Sequence, residues 1–324
     1  MTIAHPPPGT GAPPDGGQPQ IVNMRQVERR RWPHWTALSA NTWELAARDG
    51  RRDVRVQCFE RLEPGDVNRT QLTAEYVPSH RNIFDVFVLN ARLPLSGDQS
   101  SRIENFSGQL IYRPEGLLFA GGKPMSQSTA PPNTDHVLVN VYVQTQGPGG
   151  QPLLTLDRIA TAADHVSETG EGRLVRERGE YVAPDGQVRE ALEVCWESVM
   201  GHPYPFPDPP AVDGMVKFSL AAYPWRESAC GSGVKVKEIA TFGDIGPSFS
   251  FAKFEAGAEV AARRLHKHTF AAVIVGRVSG KLLNLDESHV MLASPGDEIS
   301  SLRADKPTLL WLVDWNADAV RPAC

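Results

Sequence analysis

Runs of apolar, β-branched and aromatic residues recur along the chain, each short enough for one strand and bounded by turn residues. This composition, without a regular alternation of helical and strand-like segments, predicts a mainly β, antiparallel protein. It argues against a dinucleotide-binding fold. In the first half the runs are Val54 to Phe59, Phe84 to Ala91, Leu110 to Tyr112, Val137 to Thr145 and Leu153 to Leu156.

Two local signals add detail to this first half. The turn Pro184-Asp185-Gly186 predicts a hairpin between Arg173–Val182 and Gln187–Val199. Asn41 is suited to cap a short helix, with Glu44 three residues later as in a capping box. Gly50 would end that helix.

Composition also divides the chain into segments. Residues 1–20 are rich in Pro and Gly and predict a disordered tail. Residues 21–201 predict an N-terminal antiparallel β domain, either a barrel or a sandwich. Residues 202–214 (HPYPFPDPPAVDG) predict a Pro-rich linker, and residues 215–318 a second β domain.

Length and charge limit the classes of function. The 324 residues suit two domains, and the net charge of −5 argues against binding to nucleic acid or to an anionic membrane. No apolar run is long enough to cross a bilayer. The N-terminal residues lack the apolar core of a signal peptide, and the four cysteines are scattered. We therefore expect a cytoplasmic protein with reduced cysteines.

A histidine pair carries most of the candidate chemistry. His266 and His268 are two residues apart in a strand-like tract, so an alternating strand would point both imidazoles to one face. Imidazole is a common ligand of transition metals. The same alternation assigns Arg264 to the face of the two histidines.

The sequence around this histidine pair resembles that of the cupin family of small β-barrels. Gly257, His266, His268 and Gly276 follow the outline of the family's first motif, and Pro295-Gly296-Asp297 matches the turn of the second. The resemblance covers about the last third of the chain. It implies a C-terminal cupin-like barrel and a homodimer. The first half carries no such resemblance, although Phe106 to Ile111 faintly repeats Val278 to Leu283. A diverged bicupin and an unrelated antiparallel barrel both remain open for it.

The family motif also implies a metal site, but two of its four ligands are missing. Ala271, Ala272 and Val273 occupy the position of the family's glutamate, and no histidine follows Pro295-Gly296-Asp297. The best substitute for the third ligand is His289, before the next strand-like run; Glu255, Glu259 and Glu298 are alternatives. His266, His268 and His289 are thus the predicted ligands of a divalent ion, namely Fe, Ni, Mn or Zn.

Three functional interpretations follow. The resemblance implies an enzyme that acts on a small carbonyl- or enol-bearing molecule, as a dioxygenase, isomerase or decarboxylase if metal is bound. Without metal, His266 and His268 could act as general acid and base, with Arg264 stabilising an oxyanion, as in a lyase or cyclase. The positive charges of Arg263, Arg264 and Lys267 suit an anionic substrate. The alternative is a non-catalytic module that binds a small molecule.

Overall fold

The computed structural model of the chain describes residues 18–24, 26, 45–48, 52–62, 80–83, 85–119, 132–145, 156–169, 171–206, 212–242, 247–281 and 283–315. Within these residues the protein is mainly β, and its sheets are antiparallel. The predicted fold class is confirmed in that the protein is mainly β, with two antiparallel β units and a barrel in the C-terminal half.

The elements fall into two sets along the chain. In the first half, the described residues form strands and three helices: β1 (Gln20–Asn23), β2 (Leu45–Arg48), β3 (Arg52–Leu62), β4 (His80–Arg81), β5 (Asp85–Pro94), α1 (Gln99–Glu104), β6 (Ser107–Arg113), β7 (Leu118–Phe119), β8 (Thr134–Thr145), α2 (Leu156–Glu168), β9 (Arg173–Val175), β10 (Glu180–Val182), β11 (Val188–Glu190) and α3 (Ala191–Met200).

In the part of the second half that the structure describes there are strands and one short 3-10 helix, Leu220–Ala222: β12 (Val216–Ser219), β13 (Arg226–Glu227), β14 (Val234–Thr241), β15 (Ser248–Phe254), β16 (Glu259–Val260), β17 (Arg263–Arg264), β18 (His268–Val275), β19 (Arg277–Gly280), β20 (Asn284–Asp286), β21 (His289–Ala293), β22 (Glu298–Ile299), β23 (Leu302–Ala304) and β24 (Thr308–Trp315).

The first half is built on a six-stranded sheet in the order β12-β6-β5-β8-β3-β2. Successive side chains of a strand point to opposite faces, and both faces of this sheet are covered. Phe87, Leu89 and Val139 on one face pack toward the second half. Val86 and Val88 on the other face pack against Ile159 of α2 and against Trp196 and Cys195 of α3.

The second half is a barrel of two facing sheets. A seven-stranded sheet runs β1-β21-β18-β24-β15-β14-β13, and a four-stranded sheet runs β16-β23-β19-β20. Between them lies an apolar core that includes Ala271, Val273 and Leu310 from the large sheet and Val278 and Leu302 from the small one. We call the face of the large sheet toward this core the barrel face.

The opposite face of the seven-stranded sheet packs on the six-stranded sheet. This contact forms the largest apolar cluster of the described residues and joins Phe87 and Leu110 of the first half to Phe249, Phe270 and Trp311 of the second. We call the face of the seven-stranded sheet toward this cluster the inter-sheet face. The two halves therefore share one hydrophobic core.

Each half also contributes one strand to the sheet of the other. β1 pairs with β21 at one edge of the seven-stranded sheet, and β12 pairs with β6 at one edge of the six-stranded sheet. Gln20, assigned to the tail by the sequence, is the first residue of β1. The domain boundaries at 202–214 and 215–318 stay predictions. β12 follows the predicted linker in the chain, yet it pairs with β6 in the sheet of the first half.

Three local predictions are wrong. Leu45–Arg48 pair with β3 as a strand, where the sequence predicted a helix; Asn41 and Glu44 lie outside the described residues. The hairpin through Gly186 is present, but α3 replaces most of its predicted second strand. Leu156, the last residue of the strand predicted from Leu153 to Leu156, begins α2 instead; the rest of that predicted strand lies outside the described residues.

Candidate functional site

A polar pair, the buried Thr269 and the half-buried Asp314, lies at one end of the barrel, where β18 and β24 meet. Thr269 and Asp314 are cross-strand partners, and the Thr269 hydroxyl donates a hydrogen bond of 2.6 Å to Asp314 Oδ1. Both alternate in phase with residues of the barrel core, Ala271 on β18 and Leu310 on β24. The pair therefore belongs to the barrel face of the sheet.

The surroundings of Asp314 alter its acidity. Burial raises the pKa of this carboxyl above its ordinary value. The hydrogen bond from Thr269 and the positive charges of Arg263 and Lys267 oppose that rise without cancelling it. The result is a carboxylate that is a stronger base than an exposed aspartate, and such groups occur often at functional sites.

An exposed cationic segment lies beside this pair. Arg263, Arg264, His266 and Lys267 are exposed, whereas Leu265 between them packs into the barrel core. Among the described ion pairs none involves Arg263, Arg264 or Lys267. Arg263 Nη1 lies 3.8 Å from Sγ of the exposed Cys230. The segment thus offers cations to an anionic group at the barrel end.

His268 lies on the other side of the sheet. It alternates in phase with Phe270 and Ala272, which belong to the inter-sheet core. Its ring is buried and stacks on Trp315, with 5.2 Å between the ring centroids and 14° between the planes. His268 therefore points away from Asp314 and from the barrel core.

His289 lies at the far end of the sheet from His268. Ala272 pairs with Val290 and Phe270 with Leu292, so His289 is level with Val273, five residues from His268. At about 3.3 Å per residue this is roughly 16 Å along the strand. His289 Nδ1 is 2.5 Å from Oδ1 of Asp286.

These positions do not fit a metal ion held by the three predicted histidines. First-row metals require ligands within about 2–2.3 Å of one point, whereas His266 is exposed, His268 is in the inter-sheet core and His289 is at the opposite end. Within the described residues no three His, Cys, Asp or Glu side chains form a group that could hold a metal. The alternative ligands Glu255, Glu259 and Glu298 are all exposed.

In the sequence, Arg263 and Lys267 stand out only as nearby charges, and no motif marks Thr269 or Asp314. A signal for Asp314 was available, because it is the only charged residue in β24, whose other residues are mostly apolar. A charge is costly to bury without a compensating interaction. A single acid in such a strand is therefore a candidate functional residue.

No known family model matches the chain, and no curated protein matches it significantly. Solved structures of similar shape include a proposed dioxygenase from Nostoc punctiforme, with 10% identity, coverage of 94% of this chain and 85% of that one, and a TM-score of 0.47. Salicylate 1,2-dioxygenase from Pseudaminobacter salicylatoxidans has 12% identity, 94% and 86% coverage and a TM-score of 0.43. An E162A mutant of Bacillus subtilis oxalate decarboxylase has 14% identity, 94% and 80% coverage and a TM-score of 0.45. At these scores the likenesses carry no argument about function.

None of the helices in the described part of the chain has the length and apolar character needed to span a membrane.

Proposed function

We propose that the protein is a cupin-type enzyme that acts on a small, anionic, carbonyl- or enol-bearing molecule by acid–base chemistry at the barrel end. The observation that supports this function best is the half-buried Asp314 carboxyl, with its raised pKa, beside cations that have no described acidic partner. The homodimer and the cytoplasmic location stay predictions.

The proposed chemistry is a proton transfer that needs no further reactant. The carboxylate of Asp314 takes a proton from the carbon next to the substrate carbonyl, which leaves an enolate. The protonated Asp314 then returns the proton to carbon or oxygen, and the electrons of the broken C–H bond reside in the enolate meanwhile. Arg263 and Lys267 would bind the substrate carboxylate and stabilise the enolate oxygen. The Thr269 hydroxyl fixes the orientation of Asp314.

Replacing Asp314 by asparagine should abolish most of this proton transfer. A positioned general base contributes about 10²–10⁴-fold, so we expect the Asp314→Asn variant to lose at least about 10²-fold in rate. The measurement is deuterium incorporation at the carbon next to the keto group of pyruvate, oxaloacetate and acetoacetate in D2O, followed by proton NMR. Because the reactive form is the carboxylate, the wild-type rate should rise with pH through the raised pKa of Asp314.

Control variants distinguish a loss of catalysis at Asp314 from a general loss of folded protein. Asp213→Asn, at an exposed position, should leave the rate unchanged. Arg263→Gln and Lys267→Gln should lower kcat/KM, because they remove both the charge that binds the substrate carboxylate and the charge that stabilises the enolate. Exchange by the wild type no faster than in buffer, or an Asp314→Asn variant as fast as the wild type, would show that the proposed reaction is wrong.

The metal hypothesis has its own test, by elemental analysis of the purified protein. Since the three predicted histidines do not converge, we expect a His266→Ala/His268→Ala double variant to contain as much Fe, Ni, Mn and Zn as the wild type. The exposed His165→Ala variant is the control. Near-stoichiometric metal in the wild type that disappears only in the double variant would restore the metal site and the oxygenase or decarboxylase interpretation.

A further inference from the structure

A second group of polar side chains lies in the first half, on the face of the six-stranded sheet away from the second half. Asn90, Arg92, His136 and Asn140 form this group, which we call the polar cluster. Along β5 and β8 they alternate with Leu89, Ala91, Val137 and Val139, which pack into the shared core. The cluster therefore points to the opposite face, the one that α2 and α3 cover at Val86 and Val88.

Strand register places the four residues next to one another. Arg92 and His136 are direct cross-strand partners, and His136 Nε2 is 2.8 Å from Asn90 Oδ1. Asn90 pairs with Leu138, so Asn140 is its diagonal neighbour on the same face. Direct and diagonal neighbours have Cβ atoms within about 4.5–8 Å, so one small molecule can contact Arg92 and His136 together. Asn140 is four residues from His136 along β8, about 13 Å away.

The environment of His136 keeps its ring neutral and leaves one nitrogen available. His136 is buried, and burial together with the charge of Arg92 lowers its pKa. With Asn90 Oδ1 as acceptor, His136 Nε2 carries the proton and Nδ1 presents a lone pair. Nδ1 has no hydrogen-bond partner in the described part of the chain.

Arg92 points to the kind of ligand, whereas Asn140 is too far from it for one small acid to reach both. Asn140 Oδ1 is buried and accepts no hydrogen bond from the described residues. Arg92 is exposed and forms none of the described ion pairs, so its guanidinium is available to a carboxylate.

We propose that the polar cluster is a binding site for a small 2-hydroxycarboxylate. The ligand hydroxyl donates to His136 Nδ1, and its carboxylate pairs with Arg92. Asn90 holds the His136 ring in the required tautomer. The site is independent of the proposed reaction at Asp314, because the cluster lies on the far face of the first sheet from the barrel.

Calorimetric titration with L-lactate and L-malate tests this site in the full-length protein. We expect saturable binding of both acids and binding at least about tenfold weaker for propionate, which lacks the hydroxyl, and for propane-1,2-diol, which lacks the carboxylate. His136→Gln keeps a donor for Asn90 but removes the Nδ1 acceptor, and it should weaken L-lactate binding at least about tenfold. Tenfold in Kd corresponds to about 1.4 kcal/mol, the size of one hydrogen bond.

Matched variants and a direct spectroscopic readout keep the result interpretable. His165→Gln, on the exposed side of α2, and Asp314→Asn should bind as the wild type does. In protein with 15N-labelled histidine, the ring signals of His136 should shift during titration of the wild type. An absence of binding, equal affinity for propionate, an unaffected His136→Gln variant or an unmoved His136 signal would each overturn the proposal.

Discussion

Replacing Trp311 by alanine should lower the free energy of unfolding by about 3–5 kcal/mol, the usual cost of removing a buried aromatic side chain. Trp311 is 0% exposed. Its ring lies 6.2 Å from that of Phe249 and 5.9 Å from that of Phe270, measured between centroids, in the core that joins the two halves. The cavity left by the indole would be lined from both sheets.

Urea denaturation followed by circular dichroism measures this loss. Because the core is shared, we expect the wild type to unfold in one transition and the Trp311→Ala variant to unfold in one transition at lower urea. Leu95→Ala is the control, since Leu95 is 41% exposed and its loss should cost less than about 1 kcal/mol. A Trp311→Ala variant as stable as the control would show that the inter-sheet core is not well packed.

Replacing Glu190 by glutamine should make the protein more stable at neutral pH. Glu190 precedes α3, and its Oε2 is buried without a hydrogen-bond partner among the described residues. Burial, and secondarily the charge of Glu193, raises its pKa from 4.5 to about 8. A folded-state pKa above the unfolded one means that folding takes up a proton between these values, so stability falls as pH rises from about 4.5 to about 8.

The expected gain follows from that difference. At about 1.4 kcal/mol per pH unit, the Glu190→Gln variant should be more stable by about 3 kcal/mol at pH 7 and little changed at pH 4. Thermal and urea unfolding across this pH range measure the difference. The exposed Glu177→Gln variant serves as control and should show no comparable gain. Equal pH dependence in the wild type and in Glu190→Gln would contradict the raised pKa.

The strands of the two large sheets could be predicted from the sequence, and the helices could not. β5 and β8 contain runs of β-branched and aromatic residues, which favour strands. Both predicted strands are present in the structure. α2 does bury Ile159, Ala162, Ala163 and Val166 at helical spacing. Two of these residues are small, however, and the stripe was too weakly apolar to be recognised.

Tertiary contacts determine the structure of two other segments, which the local sequence does not predict. Leu45–Arg48 lie in a strand because β3 supplies a pairing edge, which a capping pattern at Asn41 cannot indicate. Phe106 to Ile111 and Val278 to Leu283 resemble each other, yet β6 is in the six-stranded sheet and β19 in the small four-stranded sheet. The short repeat therefore does not mark equivalent positions of the two halves.

The site was harder to predict because β18 is buried on both faces. All eight of its residues are buried, so alternation separates Thr269 from His268 but gives no sign of which one faces the barrel. Family resemblance favoured the histidine. The packing of Ala271 and Val273 against the small sheet places Thr269 on the barrel face.

The exchange of β1 and β12 has a consequence for any attempt to separate the halves. A chain cut between residues 202 and 214 would leave β1 on the N-terminal fragment and β12 on the C-terminal fragment. β1, however, belongs to the seven-stranded sheet of the second half, and β12 to the six-stranded sheet of the first half. Each fragment alone would expose an unpaired sheet edge, a known cause of aggregation. Mixed together, the two fragments carry every strand that both sheets require, so this topology favours reassembly of a nicked protein over its dissociation.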